Sequence, residues 1–478
     1  MAVGESDRLI VLGERESRSQ GEGADGYVEP AKDNMGQTRR AGTTMQTSLR
    51  GIANKARLDK GHRFRNLYQL LNEEGLMSSW AAINKRAAAG VDRVSARSYA
   101  EGLHDNVTRL VERLKRGSYR ARLVRRRNIP KEGGKTRPLG IPVVEDKLLQ
   151  SAASRILGAI YEQDFQPTSY AYRPVRGAHD AVRDLTRELQ FGCYGYVVEI
   201  DIKGFFDHID HDWLLRMLRE RVDDRPFLRL IEKWLKAGVL EEDGQVIHPE
   251  AGSPQGGSIS PILANIYLHY VLDLWFQYKV KPRMRARAFM CRYADDVVFV
   301  FQHQKEARSF YREIGPRLAR FGLELSAAKS RVVRFSRFHL GTKAQAFDFL
   351  GFAFRWIVDR SGTPRVTRRN SRKRFRSSLA RVTAWYREHL TRPVDEIVAA
   401  LNVKLRGYYN YYGVIGNYVS IQAFFCEARR LLFKWLNRRS QRRSYNWKGF
   451  NDLLRRLGLL QPRITELRRR QLTLEGSC

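Results

Sequence analysis

The sequence AFMCRYADDVVFVF, residues 288–301, contains two apolar runs with two adjacent acids between them. Ala288–Tyr293 and Val297–Phe301 have the length and composition of β-strands. Such runs, separated by so short a segment, predict a β-hairpin with Asp295 and Asp296 at its turn. Adjacent carboxylates repel each other, and a divalent cation bound to both removes that repulsion. An Asx-type turn explains the same acids without a ligand, so this stretch alone leaves both interpretations open.

A third acid favours the metal-site interpretation. The run Tyr194–Ile200 predicts a strand that ends immediately before Asp201. If this strand and the hairpin lie in one sheet, Asp201 and Asp295 can hold two Mg²⁺ ions about 3.5 to 4 Å apart, the spacing used for in-line phosphoryl displacement. The sequence therefore predicts the active site of a nucleotide polymerase.

The composition indicates a folded protein with a polyanionic partner. The chain has 478 residues, 43% of them apolar and 11% aromatic, and its 86 Lys and Arg against 51 Asp and Glu give a net charge of +35. This composition excludes wholesale disorder and predicts a basic surface. No apolar run of 18 residues or signal peptide is present, so we expect a soluble, intracellular protein. The widely spaced cysteines are expected to be free thiols: Cys193, Cys291, Cys426 and Cys478.

The pattern along the chain predicts an α+β protein with a helical, basic C-terminal part. Residues 1 to about 55 are polar and glycine-rich, so we expect a disordered tail within residues 1–60. Helical spacing starts at Phe64, and strands and helices alternate through the middle of the chain. Residues 365–478 contain 26 Lys and Arg against 7 Asp and Glu, a net charge of +19. Most tyrosines and tryptophans of this part are expected to be core residues.

The motifs, taken together, resemble those of reverse transcriptases, and more narrowly the reverse transcriptase/maturase proteins of bacterial group II introns. The resemblance extends over about residues 64–460, and the order and spacing of the blocks make it specific although each block alone is weak. The blocks are Gly90-Val91-Asp92, Ile129-Pro130-Lys131, Arg137-Pro138-Leu139-Gly140-Ile141-Pro142, Ser169-Tyr170-Ala171-Tyr172-Arg173-Pro174, Asp201 with Phe205-Phe206, Ser253-Pro254-Gln255-Gly256-Gly257, Tyr293-Ala294-Asp295-Asp296, Lys329, and Phe347-Asp348-Phe349-Leu350-Gly351-Phe352.

The resemblance implies a right-hand polymerase architecture. Fingers and palm would occupy residues 61–360, a helical thumb or maturase (X) domain residues 365–437, and a small basic DNA-binding region residues 438–478. Family members often end in an endonuclease that contains paired cysteines and histidines. After residue 437 this sequence has one cysteine, Cys478, and no histidine, so it has no such pairs there. The expectation is therefore a protein of the endonuclease-lacking type, whose priming route stays open.

The resemblance also implies the site residues. Asp201, Asp295 and Asp296 would be catalytic and, with Ile202, would bind two Mg²⁺ ions. Phe205 and Phe206 are both among the implied substrate-binding residues, and Phe206 would block a ribose 2′-hydroxyl. One of the two is nevertheless expected in the core. The remaining substrate-binding residues implied by the resemblance are Lys131, Arg137, Gln255 and Lys329.

Several of these residues can also be explained by an ordinary structural role without a ligand. Residues 125–135 can also be interpreted as a generic basic loop, although the match of this block in residue type and order favours the nucleotide-binding role. Lys329 can also be interpreted as an exposed lysine at a helix end. The cluster of His208, Asp210, His211 and Asp212 resembles a metal site, but we interpret it as a helix cap. In the thumb, the cations expected to follow an RNA backbone are Arg372, Lys373, Arg374 and Arg376.

The implied partners are group II intron RNA, target and primer DNA, and deoxynucleotides. The protein would act in a ribonucleoprotein that is associated with the bacterial nucleoid in the cytoplasm and not with a membrane. The implied function is RNA-directed DNA synthesis combined with intron splicing and retrohoming. Two alternatives stay open: a non-catalytic splicing factor, and a domesticated reverse transcriptase in repair or phage defence.

Overall fold

The computed structural model describes residues 45–130, 136–248, 250–253, 256–338, 340, 346–439 and 444–466. Helices and strands are interspersed over most of this length and the last part is mainly helical, which confirms the predicted α+β class. Lys131 and Gln255, two of the predicted substrate-binding residues, lie outside the described residues.

The first part of the described chain consists of five α-helices and one β-hairpin, which lies before the last of these helices. In the last helix before the hairpin, Val107, Leu110, Val111 and Leu114 are buried at the spacing of one helical face. The elements are α1 (Met45–Leu58), α2 (Glu73–Trp80), α3 (Ala96–Glu101), α4 (Leu103–Lys115), β1 (Val124–Pro130), β2 (Thr136–Ile141) and α5 (Val144–Tyr161).

The middle of the chain begins with a helix and then supplies the first strand of the central sheet. Asp210 and Asp224 cap two of its helices, because their side chains accept hydrogen bonds from Trp213 N (2.8 Å) and Phe227 N (3.0 Å). The elements are α6 (Ala178–Phe191), β3 (Tyr196–Ile200), β4 (Ile202–Lys203), α7 (His211–Arg219), α8 (Arg225–Leu235), β5 (Val239–Leu240), β6 (Val246–Ile247) and α9 (Ser260–Leu268), which continues through π-helical turns at His269–Asp273 and Phe276–Val280.

The predicted hairpin follows, and its second strand begins at Asp296, one residue earlier than expected. A long helix packs next to it and two short strands complete this part. The elements are β7 (Ala288–Tyr293), β8 (Asp296–Phe301), α10 (Gln304–Ala319), β9 (Glu324–Leu325) and β10 (Arg331–Arg334).

A three-stranded sheet and a group of helices complete the described chain. Ser371 caps the first of these helices by accepting a hydrogen bond from Arg374 N. As expected for the tyrosine cluster, Tyr408, Tyr409 and Tyr412 are buried, while Tyr411 is 39% exposed. The elements are β11 (Phe347–Phe349), β12 (Phe352–Val358), β13 (Pro364–Asn370), α11 (Arg372–His389), α12 (Val394–Tyr412), α13 (Tyr418–Leu436) and α14 (Trp447–Arg456).

The central sheet has the strand order β10-β3-β8-β7, with all neighbours antiparallel. Alternate residues of its strands enter two different hydrophobic cores: Val198 and Phe299 pack with the N-terminal helices, whereas Val197 and Val300 pack with the C-terminal ones. The sheet therefore lies between the two cores, and each of its faces packs against one of them.

The N-terminal boundary differs from the sequence-based expectation. Residues 45–58 form α1, although we predicted a disordered tail up to residue 60. Leu49, Ile52 and Ala56 lie at helical spacing and pack against the core, and Ala56 is completely buried. This apolar face buries enough surface to order the helix, so the prediction was wrong from residue 45 onward. Residues 1–44 lie outside the described part.

None of the helices in the described part of the chain is long and apolar enough to cross a membrane. Cys193, Cys291 and Cys426 are free thiols, as predicted, whereas Cys478 lies outside the described residues.

Candidate active site

Asp201, Asp295 and Asp296 meet at one end of the central sheet. Ile200 is paired with Val297 across β3 and β8, so Asp201 comes to lie beside Asp296. The last pair of the hairpin joins Tyr293 to Asp296 and leaves Asp295 in a tight two-residue turn. The two parts of the predicted site therefore belong to one sheet, as the sequence-based hypothesis required.

A buried arginine, Arg292, donates a hydrogen bond to the backbone of this turn. Arg292 is completely buried, and its Nε and Nη2 donate to the two carboxylate oxygens of Asp273 at 2.7 and 2.6 Å. Its Nη1 donates to Ala294 O (3.2 Å) and to Asn265 Oδ1 (3.1 Å). Ala294 has a left-handed backbone with φ of 56°, which is strained for a residue with a Cβ. We infer that the bond from Arg292 helps to hold this conformation.

Sequence reasoning did not single out Arg292, Asp273 or Asn265. A signal was present, because Arg292 stands in an otherwise apolar strand and Asp273 in an otherwise apolar helical run. Charged residues in such positions must be paired when they are buried. Asp273 and Asn265, however, are 19 and 27 positions away from Arg292 in the chain, and only the folded structure shows that these side chains meet.

The carboxylates of the site affect one another electrostatically. The Asp296 side chain reaches solvent, yet the protein atoms around its carboxylate reduce its hydration. This loss of hydration, followed by the charges of Asp295 and Asp201, raises the pKa of Asp296 to about 6, while Arg374 and Lys329 oppose the shift. The site thus concentrates negative charge in a way that favours a bound cation.

Lys329 lies in this site and not at an unrelated helix end. Its Nζ is 2.9 Å from Asp201 Oδ2. The backbone of Asp201 is fixed by the same segment, because its N donates to Ser330 Oγ (3.1 Å) and its O accepts from Ser326 N (2.8 Å). Ile202, the fourth predicted metal ligand, is buried and paired with Leu325 in the small β4–β9 sheet.

The two phenylalanines after Asp201 have different environments. Phe205 is 2% exposed and packs in the core, whereas Phe206 is partly exposed and its carbonyl accepts a hydrogen bond from Ser253 N (2.8 Å). One of the two is therefore a core residue, as expected. The reason is not the strand alternation on which we relied: residues 205–207 form a 3₁₀ turn after the left-handed Gly204.

Two residues from the N-terminal part, Arg137 and Tyr172, lie within electrostatic range of each other. Arg137 is exposed on β2, opposite Ile129 of β1. Tyr172 follows a short segment that pairs with β7 through Ser169 and Arg292. Burial raises the pKa of the Tyr172 phenol; the charge of Asp295 raises it further, whereas Arg137 lowers it. Arg137 and Asp295 thus both lie within electrostatic range of Tyr172.

Comparisons with known proteins agree with this geometry. A family model described as reverse transcriptase (RNA-dependent DNA polymerase) matches residues 129–354, and one described as the group II intron maturase-specific domain matches residues 373–453. Protein YkfC of Escherichia coli strain K12 is 30% identical over 371 residues, which cover 70% of this chain and 94% of YkfC. The chain belongs to the group II intron reverse transcriptase/maturase family.

Further relatives in the same group are only partly covered. The group II intron-encoded protein LtrA of Lactococcus lactis subsp. cremoris is 30% identical over 407 residues, 67% of this chain and 65% of LtrA. An uncharacterized 91 kDa protein in the cob intron of Schizosaccharomyces pombe is 35% identical over 207 residues, 43% of this chain and 25% of that protein. The chain thus spans just under two thirds of LtrA. Its resemblance to reverse transcriptases, predicted from the motifs, is confirmed at the level of the family.

The maturase-specific match begins at residue 373, in the first turn of α11, whose first turns carry the predicted nucleic-acid-binding cations. All of them are exposed, and Arg374 also acts on Asp296, whose pKa it lowers. The start of α11 therefore lies within electrostatic range of the carboxylate site. These cations are Arg372, Lys373, Arg374 and Arg376.

Reverse transcriptases as a family use divalent metal ions, and the residues of this site fit such ions by donor type. Carboxylate oxygens are the ligands that Mg²⁺ prefers. Loss of hydration is the main cause of the raised pKa of Asp296, and repulsion from Asp295 and Asp201 adds to it; a divalent cation would relieve this repulsion. In the described part of the chain, no group of three or more acidic, histidine or cysteine side chains is arranged to hold a metal ion.

The histidine-rich cluster after Phe206 has structural contacts. His208 Nδ1 and His211 Nε2 are 2.8 and 2.7 Å from the carbonyl oxygens of Gly204 and Gly252, and Asp210 caps α7. The helix-cap interpretation of this cluster is confirmed.

Proposed function

We propose that the protein is an RNA-directed DNA polymerase and intron maturase that binds group II intron RNA, assists its splicing and copies it into DNA during retrohoming. The observation that carries this proposal is the meeting of Asp201, Asp295 and Asp296 at one end of one sheet. RNA binding alone would not require clustered acids that repel one another. Membership in the family supports the same function.

The proposed reaction is nucleotidyl transfer. The primer 3′-oxygen forms a bond to the α-phosphorus of a deoxynucleoside triphosphate, and the bond to the bridging oxygen of pyrophosphate breaks. Two Mg²⁺ ions, held by Asp201, Asp295 and Asp296 with Ile202, would lower the pKa of the 3′-hydroxyl and neutralise charge on the phosphates. Lys329 would give a proton to the leaving pyrophosphate, and its position 2.9 Å from Asp201 Oδ2 supports this role.

The remaining roles are those that the family motifs imply. Arg137, exposed on β2 and within electrostatic range of Tyr172, would bind the triphosphate together with Lys131 and Gln255. Phe206 is partly exposed five residues after Asp201 and would exclude a 2′-hydroxyl. We assign residues 61–360 to fingers and palm, residues 365–437 to the thumb or maturase domain and residues 438–478 to a DNA-binding region. The assembly would act as a ribonucleoprotein at the bacterial nucleoid.

Primer extension tests the polymerase function directly. The wild-type protein should extend a DNA primer on an RNA template with deoxynucleotides and Mg²⁺, and Asp295→Asn should abolish extension while circular dichroism stays unchanged. Asp105→Asn, which changes an exposed acid of α4, is the matched control and should retain activity. Folded wild-type protein that binds RNA but makes no product would instead support a non-catalytic splicing factor. A coding region without flanking intron RNA would favour the domesticated enzyme.

A further inference from the structure

A groove outside the active site carries an excess of positive charge, and we call it the basic groove. One wall is formed by residues 283–285 and the other by residues 303–313, at the start of α10. The twelve described residues that line it include five Lys or Arg and two Glu, a net charge of +3. Its volume of about 1280 Å³ exceeds the roughly 300 to 1,000 Å³ of small-molecule pockets, so the basic groove fits a larger ligand.

The cations on α10 lie together on one face of the helix. Lys305, Arg308 and Arg312 are spaced at i, i+3 and i+7, and all three are exposed. Phe310 and Ile314, on the opposite side of the helix, are buried in the core that contains the N-terminal helices. Within the described part of the chain, no acid forms an ion pair with these three cations. This wall therefore keeps its positive charge uncompensated.

The two glutamates of the basic groove connect its walls. Glu313 accepts hydrogen bonds from Arg283 Nη2 at 2.8 Å and from Ser309 Oγ at 3.2 Å. Glu306 Oε1 accepts from the backbone N of Arg285 at 2.7 Å, so this bond does not involve the Arg285 guanidinium. Both acids thus fix the segment before β7 to α10. The basic groove is therefore preformed, and its remaining cations stay available to a ligand.

The chain that leads into the basic groove extends its positive charge. Residues 279–287 have the sequence KVKPRMRAR, with a cation at every second position and no acid. A cleft lined by charges of one sign concentrates the electric field and attracts oppositely charged polymers. The five cations of this segment are all exposed: Lys279, Lys281, Arg283, Arg285 and Arg287.

The basic groove begins at the end of the hairpin that is opposite to the acids. Ala288 pairs with Phe301, so Arg287 and Gln302 leave the sheet at the same end, whereas Asp295 lies in the turn at the other end. At the rise of an antiparallel strand, the two ends are about 17 Å apart. The reacting end of a primer must lie at the acids, so a different polyanion, or a different part of one, fits the basic groove.

We propose that the basic groove binds the phosphate backbone of a double-helical segment of the intron RNA. This proposal deepens the proposed function and rests on its RNA-binding part. Arginine and lysine neutralise phosphates without reading the bases, and the arginine fork matches two phosphate oxygens. Double-stranded RNA is recognised mostly through its backbone and shape, because side chains cannot read its deep, narrow major groove. Intron RNA is the polyanion that the proposed function requires besides the primer and template at the acids.

Binding of a fluorescent RNA hairpin, without primer or nucleotide, tests this surface. The groove variant replaces the three cations of α10 by glutamine. It should bind the hairpin at least about 10-fold more weakly at moderate salt, and the slope of log affinity against log salt should fall by about 2 to 3. Arg285→Gln, in the opposite wall, should reduce the slope by about 1 more, since both walls contact the same backbone. The groove variant is Lys305→Gln/Arg308→Gln/Arg312→Gln.

Two controls separate the position of the charges from their number. Arg308→Lys/Arg312→Lys keeps the charge of the basic groove and should keep the salt slope of the wild type. The second control removes three exposed cations elsewhere and should change binding far less than the groove variant does. It is Arg216→Gln/Arg225→Gln/Arg229→Gln. All substituted side chains are exposed, and circular dichroism verifies folding.

Equal affinity and equal slope in the groove variant and the second control would overturn the proposal. A loss of affinity seen only with a DNA hairpin of the same sequence would also overturn it, because the basic groove would then take DNA. The measurement requires no chemistry. Wild-type protein that binds the RNA hairpin but extends no primer would therefore contradict the polymerase function and leave the result for the basic groove intact.

Discussion

Arg292 and Asp273 form a bidentate ion pair in which neither side chain has any exposed surface. The same guanidinium donates to the carbonyl oxygen of Ala294, the residue before Asp295. A charge that is buried in this way is expensive to leave unpaired. The pair therefore links the stability of the sheet to the position of the turn that carries Asp295.

Removing one partner should be strongly destabilising. Asp273→Ala is expected to lower the free energy of unfolding by about 3 to 5 kcal/mol, because Arg292 is left buried without its counter-ion. Urea denaturation followed by circular dichroism measures the loss. In the double variant Asp273→Leu/Arg292→Met most of the stability should return, but primer extension should stay at least about 10-fold slower without the bond to Ala294 O. Wild-type extension by the double variant would show that this bond does not position the turn.

Phe206 should control the choice of sugar. In Phe206→Ala the ratio of kcat/KM for deoxynucleotides to that for ribonucleotides should fall roughly 10- to 100-fold, because space for a 2′-hydroxyl is created. Single-nucleotide incorporation with both substrates measures the ratio. Phe338→Ala, which truncates a phenylalanine that is 72% exposed, is the matched control. Unchanged sugar discrimination in Phe206→Ala would refute the role assigned to this ring.

The cations at the start of α11 should contribute a salt-dependent term to RNA binding. Replacing Arg372, Lys373 and Arg376 by glutamine should reduce the slope of log affinity against log salt by about 2 to 3, since each neutralised phosphate releases counter-ions. Arg374 is left in place because it acts on Asp296. The control with the same change of net charge replaces the exposed Arg216, Arg225 and Arg229. Equal slopes for both triple variants would mean that α11 does not contact RNA backbone.

His269 should make the fold sensitive to mild acid. Burial lowers the pKa of this histidine to about 4, although Asp273 opposes the shift, and Arg292, Arg173 and Lys60 add to it. Below pH 6.5 the unfolded chain takes up a proton that folded His269 does not accept until about pH 4, so stability falls as the pH falls through this window. Between pH 7 and pH 5 the loss should be about 2 kcal/mol.

The comparison with His269→Gln isolates this effect from other titrating groups. Asp146, for example, acts in the opposite direction, because burial raises its pKa to about 6. Urea unfolding of both proteins at pH 7 and pH 5 should show the smaller loss in the variant. The same loss in both would mean that His269 does not resist protonation in the folded state.

Local sequence patterns were sufficient for the elements that carry the acids. The hairpin around Asp295, the strand before Asp201 and the caps of α7 all follow from apolar runs and turn chemistry within a few residues. Prediction was wrong for residues 45–60, where three apolar residues spaced along α1 order a segment of otherwise polar composition. Composition averages over a segment, whereas burial depends on which face of a helix the apolar residues occupy.

The order of the residues is enough to predict a strand that ends at an acid, an acidic hairpin turn and a cationic C-terminal part. It does not show that Asp201 lies beside Asp296, that Lys329 contacts Asp201, or that Arg292 joins Asp273, Asn265 and the turn; these contacts exist only in the folded chain. Strand pairing and buried ion pairs join residues that are tens or hundreds of positions apart. Their geometry is set by the packing of the two cores on the sheet, which periodicity along the chain does not encode.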